Sequence, residues 1–327
     1  MPELLPAALA IIAGFVGLVW SADRFVGASA AIAKLAGLSP LIIGLTIVSL
    51  GTSAPEVMVS ISAALRGAGD LAVGNALGSN LANIGMVLGA TALIARLPIQ
   101  KHLLTCELPV LLLVTAAAGI TLYDAKLTLL EGIFLAGLLI PVLFFIVTSK
   151  TRSLTPSEVV AEEEIPDMSK GVAWLWFAIG LGVLIGSAEL LVYGAETTAL
   201  AFGVSPLIVG LTVIAIGTSL PELAASVMSA LKGHHDIALG NIVGSNIFNL
   251  LAVMSVPGLI QTTTVEPLAF SRDYLSMAGL TVLLTLGMAS AYWLKSDKSK
   301  AGIGRPFGVV LIALYGGYYV ILYNTAL

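Results

Sequence analysis

The sequence contains very little charge. Of its 327 residues only 10% are Asp, Glu, Lys or Arg, whereas 58% are hydrophobic, and the mean hydropathy is +1.02. Soluble globular domains carry about 25% charged residues, because their surfaces face water. This composition excludes a soluble protein and indicates a chain that crosses a membrane several times.

Cysteine and histidine are also scarce, which argues against disulfides and against metal sites built from these residues. A single cysteine, Cys106, excludes an internal disulfide and a cysteine-based metal cluster, and we expect it to pack without chemistry. The three histidines lie at predicted loop ends, so zinc and copper sites are not expected. A basic stripe for nucleic acid and a phosphate-binding glycine loop followed by lysine are absent as well.

Long apolar runs dominate the chain, and each is near the ~20 residues that an α-helix needs to cross a bilayer. We number them as spans 1 to 10, at about 4–30, 39–65, 71–95, 104–122, 127–148, 171–200, 205–231, 237–260, 274–294 and 306–325. The first run lacks the basic start of a cleaved signal peptide, so we expect it to be retained. The prediction is an all-α membrane protein with ten transmembrane helices.

Two long segments of the sequence match each other at a constant offset. SPLIIGLTIVSLGTSAPE at 39–56 recurs as SPLIVGLTVIAIGTSLPE at 205–222, so the offset is 166 residues, 222 minus 56. The same offset pairs GNALGSNLAN at 74–83 with GNIVGSNIFN at 240–249 without a gap. The chain is therefore an internal duplication, and we expect its matched polar residues to converge on one site.

The duplication predicts an inverted architecture. Residues 1–148 form a first repeat with its motif region at 39–83, and residues 171–327 form a second with its motif region at 205–249. Because each repeat holds five spans, an odd number, the second enters the membrane upside down. The linker at 149–170 is rich in Pro, Ser and acidic residues, which is typical of a solvated connection.

The positions of the basic residues predict which side of the membrane each loop faces. With the N-terminus outside, twelve of the fifteen Lys and Arg residues fall on the cytoplasmic side, and only Arg66, Lys126 and Arg272 fall outside. Cytoplasmic loops are enriched in Lys and Arg. We therefore predict both termini outside and a cytoplasmic linker.

Proline interrupts the helix inside spans 2 and 7. Pro55 and Pro221 lack an amide hydrogen, so the carbonyls of Gly51 and Gly217 lose their usual donors. Irregular backbone at membrane depth persists only beside protein, water or an ion. Hydroxyl and carboxylate groups surround the breaks, at Thr52, Ser53, Glu56, Thr218, Ser219 and Glu222.

Glu56 and Glu222 are the chemically decisive pair. Each lies deep in an apolar span, where a carboxylate is costly and marks a functional site, and no Lys or Arg lies at that depth. Two negative charges require cations. Calcium accepts six to eight oxygen ligands in a flexible cage, whereas magnesium demands tighter octahedral geometry.

Polar residues elsewhere in the motifs fit the same cage. Ser79 and Asn83 are four residues apart and share a helical face, as do Ser245 and Asn249. A single hydroxyl in a membrane helix is more often a packing group, so the glutamate pair carries the interpretation. The four-residue glycine spacing at 74, 78, 240 and 244 allows close helix packing.

Two further acidic pairs share the offset. For Asp70 and Asp236, near the starts of spans 3 and 8, helix N-terminal stabilisation and an ion vestibule are both open, and we favour the first. Asp23 and Glu189 lie nearer to span ends and are left outside the site.

The GTSxPE motifs at 51–56 and 217–222, with the GNxxGSN motifs that follow them, resemble the alpha-1 and alpha-2 repeats of the cation/calcium exchanger superfamily. Within it, the chain looks like a prokaryotic sodium/calcium antiporter of the inner membrane. The resemblance covers essentially the whole chain. It implies alternating access at a midplane site, with helices 1 and 6 sliding across a core formed by the other eight.

The resemblance also implies roles for individual residues. Calcium would bind the carboxylates of Glu56 and Glu222 and the backbone carbonyls of Thr52 and Thr218. Sodium positions would be lined by Ser49, Ser53, Glu56, Ser79, Asn83, Ala215, Ser219, Glu222, Ser245 and Asn249. Some relatives carry aspartate where this chain has Asn249, so the site here lacks one possible charge.

The function expected from the sequence is sodium-driven calcium antiport, with calcium and sodium as transported ions, the bilayer as partner, and no cofactor or obligate protein partner. Proton/calcium exchange and potassium-dependent sodium/calcium exchange are the alternatives that share this site. A passive cation channel is a different class, which the duplication disfavours because inverted repeats build two-sided access to one site. An intramembrane enzyme lacks a convincing nucleophile and base, so we expect none.

Overall fold

The protein is almost entirely helical, as its apolar runs predict. The computed structural model describes residues 4–151, 166–202, 215–266 and 268–326. Within these ranges eight helices are long and apolar enough to cross a membrane, and the bent pair that forms span 2 makes nine. Span 7 begins outside the described residues, and Leu220–Leu231 is its longest described helix. The tenth span and the inverted arrangement therefore stay predictions, as does the linker, most of which also lies outside.

The described helices follow the predicted spans closely. The α-helical segments are Leu4–Ala36, Pro40–Ile43, Ser49–Thr52, Ala54–Leu65, Gly69–Ala82, Gly89–Ile94, Leu108–Leu122, Leu129–Thr151, Lys170–Ala201, Ala215–Thr218, Leu220–Leu231, His235–Phe248, Ser255–Ile260, Leu275–Trp293 and Arg305–Ala326. Wider π-helical turns lie at Gly44–Val48, Asn83–Leu88, Leu103–Glu107, Asn249–Val253 and Ala269–Tyr274, and a 3₁₀ turn at Lys298–Lys300. Most of the π turns lie inside membrane spans, where such turns often accompany functional sites.

Two span boundaries differ from the prediction. Span 1 continues to Ala36 instead of ending near residue 30, and it stops where Gly37 adopts a positive φ of 63°. Glycine enters this left-handed region without steric penalty and commonly ends helices. Span 9 begins at Ala269 instead of residue 274, and Arg272 in its first turns pairs with Asp273, 2.7 Å away.

Four very short strands accompany the helices. Leu97–Pro98 pairs antiparallel with Gly302–Ile303, and Lys126–Leu127 pairs antiparallel with Thr263–Thr264. Each pair joins a segment of the first half to one of the second. Two-residue strands have no readable hydrophobic period, so the sequence did not predict these links between the halves.

Span 8 packs directly on span 2 through glycine. A Cβ atom added at Gly240 would lie 2.6 Å from the carbonyl oxygen of Leu41, and one added at Gly244 would lie 2.6 Å from that of Leu45. Two helix backbones can approach this closely only where no side chain intervenes. The packing role predicted for these two glycines agrees with this contact. The matched positions 74 and 78 have no such neighbour among the described residues.

Spans 1 and 6 pack against each other along much of their length. At Gly14 an added Cβ atom would lie 2.7 Å from the backbone nitrogen of Leu191, and at Gly180 it would lie 2.9 Å from that of Phe25. Backbone lies against backbone at both points. The two long helices therefore form one paired unit.

We predict that Gly180→Ala disrupts this pair. The new methyl group would meet the backbone of Phe25, which cannot rotate away, and overpacking of this kind costs about 1–3 kcal/mol. The melting temperature of the detergent-solubilised protein should fall accordingly. Gly182→Ala is the matched control, because an added Cβ there meets no atom of the described residues within 4 Å. Equal melting temperatures for the two variants would contradict the proposed packing.

Candidate functional site

The helix break in span 2 has a counterpart in span 7. Ser53, with φ −84° and ψ 9°, separates Ser49–Thr52 from Ala54–Leu65, and the helix axis bends there by 43°. Ser219 has nearly the same angles, φ −90° and ψ 5°, ahead of Leu220–Leu231. Both serines lie in a sparsely populated backbone region that is common at active sites. The matched motifs thus fold into matched breaks.

Each break starts a new helix whose first turn carries a glutamate. Glu56 lies in the first turn of Ala54–Leu65, and Glu222 in that of Leu220–Leu231. Pro55 and Pro221 occupy the same turns, where the missing amide hydrogen costs little because first-turn donors have no intrahelical acceptor. Free amide groups and the positive end of the helix dipole favour a carboxylate at this position.

The described residues contain four buried carboxylates, and they divide into two kinds. Glu107 lies 2.7 Å from His102 Nδ1, and Asp273 lies 2.7 Å from Arg272 Nε. Glu56 and Glu222 form no ion pair with any described Lys, Arg or His, although both are fully buried. An unpaired buried ion costs several kcal/mol.

The uncompensated glutamates belong to one site. Ser53 donates from Oγ to Glu222 Oε1 at 2.9 Å, so the break of span 2 contacts the carboxylate of span 7. The two carboxylates are close enough to repel each other, and the Ser79 hydroxyl faces Glu56. The structure therefore brings the two halves of the duplication together, and the site concentrates negative charge at their contact.

Buried polar atoms without hydrogen-bond partners surround this charge. Among the described residues they include both carboxylate oxygens of Glu56, Oε2 of Glu222, the hydroxyls of Ser219 and Ser245, and the side-chain amides of Asn83 and Asn249. Native proteins pair nearly all buried polar groups, so such a concentration needs an explanation. The residues named here are all ones that the motifs predict as ligands, and cation coordination would satisfy their oxygens. Other such atoms among the described residues lie on Asn80, Glu107, Ser229, His235 and Asn246, which the motifs do not predict as ligands.

Asn83 and Asn249 hold equivalent positions in their helices. Each is fully buried, and each begins a π turn, at Asn83–Leu88 and at Asn249–Val253. The wider turn changes the direction in which side chains leave the helix. The sequence offset predicted the pairing of these residues but not the π turns.

The backbone groups predicted as ligands lie just before the breaks. Thr52 and Thr218 each occupy the residue immediately before the break serine. The carbonyl of Ser49 accepts a hydrogen bond from Ser53 N at 3.0 Å, so it would share its oxygen with an ion. Ala215 is the first described residue of its segment, and its role stays a prediction.

Sequence reasoning missed a pair of asparagines that hold the glutamates in place. Asn75 donates from Nδ2 to the backbone carbonyl of Glu56 at 3.1 Å, and Asn241 donates to that of Glu222 at 3.4 Å. Each also donates to a serine hydroxyl one turn further along, at 3.3 and 3.0 Å. Asn241 additionally contacts Thr52 Oγ1 at 3.1 Å. The 166-residue offset of this pair was the available signal.

The remaining acidic pairs lie outside this site. Asp70 and Asp236 occupy the first turns of their helices, and Gln100 donates to Asp236 at 2.6 Å, which favours helix N-terminal stabilisation. Asp23 pairs with Lys232 at 2.8 Å, more closely than with its neighbour Arg24 at 3.9 Å.

Comparison with known proteins agrees with this geometry. The sodium/calcium exchanger protein family matches residues 6–148 and 172–324. The candidate antiporter CaxA of Alkalimonas amylolytica is 43% identical to this chain, and the match covers 98% of this chain and the full length of CaxA. The inner membrane protein YrbG of Escherichia coli K12 is 42% identical, and the match covers 97% of this chain and 96% of YrbG. A solved structure of the sodium-calcium exchanger NCX_Mj matches with a TM-score of 0.81 and 31% identity, over 97% of this chain and 98% of that one.

This chain belongs to the sodium/calcium exchanger family, within the cation/calcium exchanger superfamily. It is a multi-pass membrane protein whose function is cation/calcium exchange transport, and the family is one of ion exchangers rather than catalysts.

We predict that Glu56→Gln and Glu222→Gln each abolish calcium binding. Wild-type protein at a calcium concentration 100 times Kd should gain about 2.7 kcal/mol of stability from the ion. Both variants should lose this gain. In the absence of ions, both should melt at a higher temperature than the wild type, because a costly buried charge has been removed. Thermal melting with and without calcium measures both effects.

Two other Glu→Gln changes serve as controls for this prediction. Glu189→Gln alters an exposed glutamate of span 6, and Glu163→Gln alters the linker, outside the described residues. Both controls should retain the calcium-dependent gain. A normal calcium response in either site variant would show that the glutamates are not ligands.

Proposed function

We propose that this protein is a secondary antiporter that exchanges sodium for calcium by alternating access. The observation that carries the proposal is the pair Glu56 and Glu222, which is buried and has no cationic partner among the described residues. Ser53, from the break that precedes Glu56, donates to Glu222. Orphaned oxygens of the hydroxyl and amide side chains around the pair supply further hard ligands, which suit calcium and sodium. Calcium would bind the two carboxylates with the carbonyls of Thr52 and Thr218, and sodium the wider ligand set.

The charge of the site accounts for obligatory exchange. One calcium ion, or sodium ions in its place, neutralises the paired glutamates. The empty site keeps two charges in a low-dielectric region, so a conformational change of the empty carrier costs the desolvation of both. Only the loaded protein then crosses between its two states, and the two ions move in exchange.

The proposed architecture is two inverted five-helix repeats with the site at the midplane between them. The matched breaks at Ser53 and Ser219 support it, and so does the span 2 to span 8 contact between the halves. Inverted repeats of this type give access to one site from both sides. The tightly packed span 1 and span 6 pair supports the sliding of these helices as one unit. We place the protein in the inner membrane, with both termini outside and the linker cytoplasmic.

Ion gradients imposed separately on sealed vesicles test the coupling ion. We expect an outwardly directed sodium gradient to drive calcium uptake, and a proton or potassium gradient alone to leave uptake at background. Calcium uptake that follows the proton gradient and ignores sodium would overturn the sodium assignment. Calcium flux that requires no counter-ion would show that the protein is a channel and not an antiporter.

Asn249→Asp tests the charge count of the site. A third carboxylate beside Glu56 and Glu222 should strengthen calcium binding by about tenfold or more, because ligand charge tunes calcium affinity. It should also increase the number of sodium ions needed to displace calcium, measured as the Hill coefficient for sodium in competition with radioactive calcium. Asn83→Asp adds a carboxylate at the matched position of the other half, and its calcium affinity is compared with that of Asn249→Asp. An unchanged affinity in both variants would place the asparagines outside the coordination shell.

A further inference from the structure

Three metal-binding side chains meet at the start of span 4. The ligand atoms of His102, Cys106 and Glu107 all lie within 4.8 Å of one another. His102 Nδ1 lies 2.7 Å from Glu107 Oε1 and 2.9 Å from Oε2. Glu107 is fully buried and Cys106 is 7% exposed, whereas 15% of the His102 side chain reaches the surface. None of the three belongs to the exchange site.

A π turn brings these three residues together. In an α-helix a residue faces its neighbours three and four positions away, so His102 would contact Cys106 but not Glu107. The segment Leu103–Glu107 is π-helical, and its wider turn bonds residues five apart. His102 itself has helical angles, φ −58° and ψ −43°, and lies in the first turn of the helix, two residues after the loop ends at Gln100.

The donor set selects a class of metal. Calcium and magnesium prefer oxygen ligands alone, whereas an imidazole, a thiolate and a carboxylate together suit zinc and the neighbouring divalent transition metals. A fourth, tetrahedral position could be filled by water through the exposed edge of His102. The transported calcium would thus not compete well for these ligands.

We propose that His102, Cys106 and Glu107 form a binding site for a divalent transition metal of the zinc class, separate from the exchange site. The metal would lie between His102 Nδ1 and the Glu107 carboxylate and would bind Cys106 as a thiolate, whose proton is released to solvent. Two residues earlier, Gln100 donates to Asp236 in the first turn of span 8. This hydrogen bond connects the segment that carries the proposed metal site to span 8, the helix that carries Asn241, Ser245 and Asn249.

Cobalt supplies a specific test, because a Co²⁺–thiolate bond gives a charge-transfer absorption band and this chain has one cysteine. Titrating the purified full-length protein with Co²⁺ should produce the band with one equivalent, and Zn²⁺ should bleach it. Cys106→Ser should remove the band entirely. His102→Gln and Glu107→Gln should each weaken Co²⁺ binding at least about tenfold.

Two controls separate this site from others. Glu56→Gln removes a ligand of the exchange site and His234→Gln removes a different histidine, and both variants should keep the full band. Cys106→Ser changes one buried atom, so its loss of Zn²⁺ binding in a chelator competition stays decisive if Glu107→Gln fails to fold. Absence of a band in wild type would overturn the proposal, as would a band of unchanged affinity in His102→Gln.

Discussion

Two carboxylates held in a low-dielectric interior without a cationic partner impose the main constraint on this protein. Glu56 and Glu222 are buried at the contact between the two halves of the chain, where Ser53 of the first half donates to Glu222 of the second at 2.9 Å. Burying such a pair without cations costs several kcal/mol, and this cost is the basis for proposing that the interior is organised around ion binding. The helix breaks direct two helix N-termini at this charge, and orphaned amides and hydroxyls border it.

Comparison with the other buried carboxylates shows why burial alone does not identify the site. Glu107 and Asp273 are also buried within spans, but the imidazole of His102 lies 2.7 Å from Glu107 and the guanidinium of Arg272 lies 2.7 Å from Asp273. Asp273 also accepts a hydrogen bond from Tyr318 of another helix, and Glu107 lies with His102 and Cys106 in a different ligand set. The lack of a basic side chain beside Glu56 and Glu222 within the described residues, rather than burial, distinguishes the proposed exchange site.

Two asparagines outside the predicted ligand set hold the glutamates in place. Asn75 and Asn241 donate to the backbone carbonyls of Glu56 and Glu222, and so fix the first turns that carry the carboxylates. Asn241 also contacts Thr52, so one side chain joins both breaks. Ligand geometry in a membrane transporter therefore rests on hydrogen bonds to backbone as much as on the ligands themselves.

Local chemistry and internal repetition were readable from the residues alone. Apolar runs predicted the membrane helices, and the 166-residue offset predicted that Ser53, Glu56 and their partners in the second half would share one site. Folding decided what depends on distant contacts and on turn geometry. The π turns at Asn83 and Asn249, the short strands that join the halves, and the meeting of His102 with Glu107 have no periodic signature. They arise because side chains far apart in sequence, or five residues apart in a widened turn, become neighbours only when the helices pack.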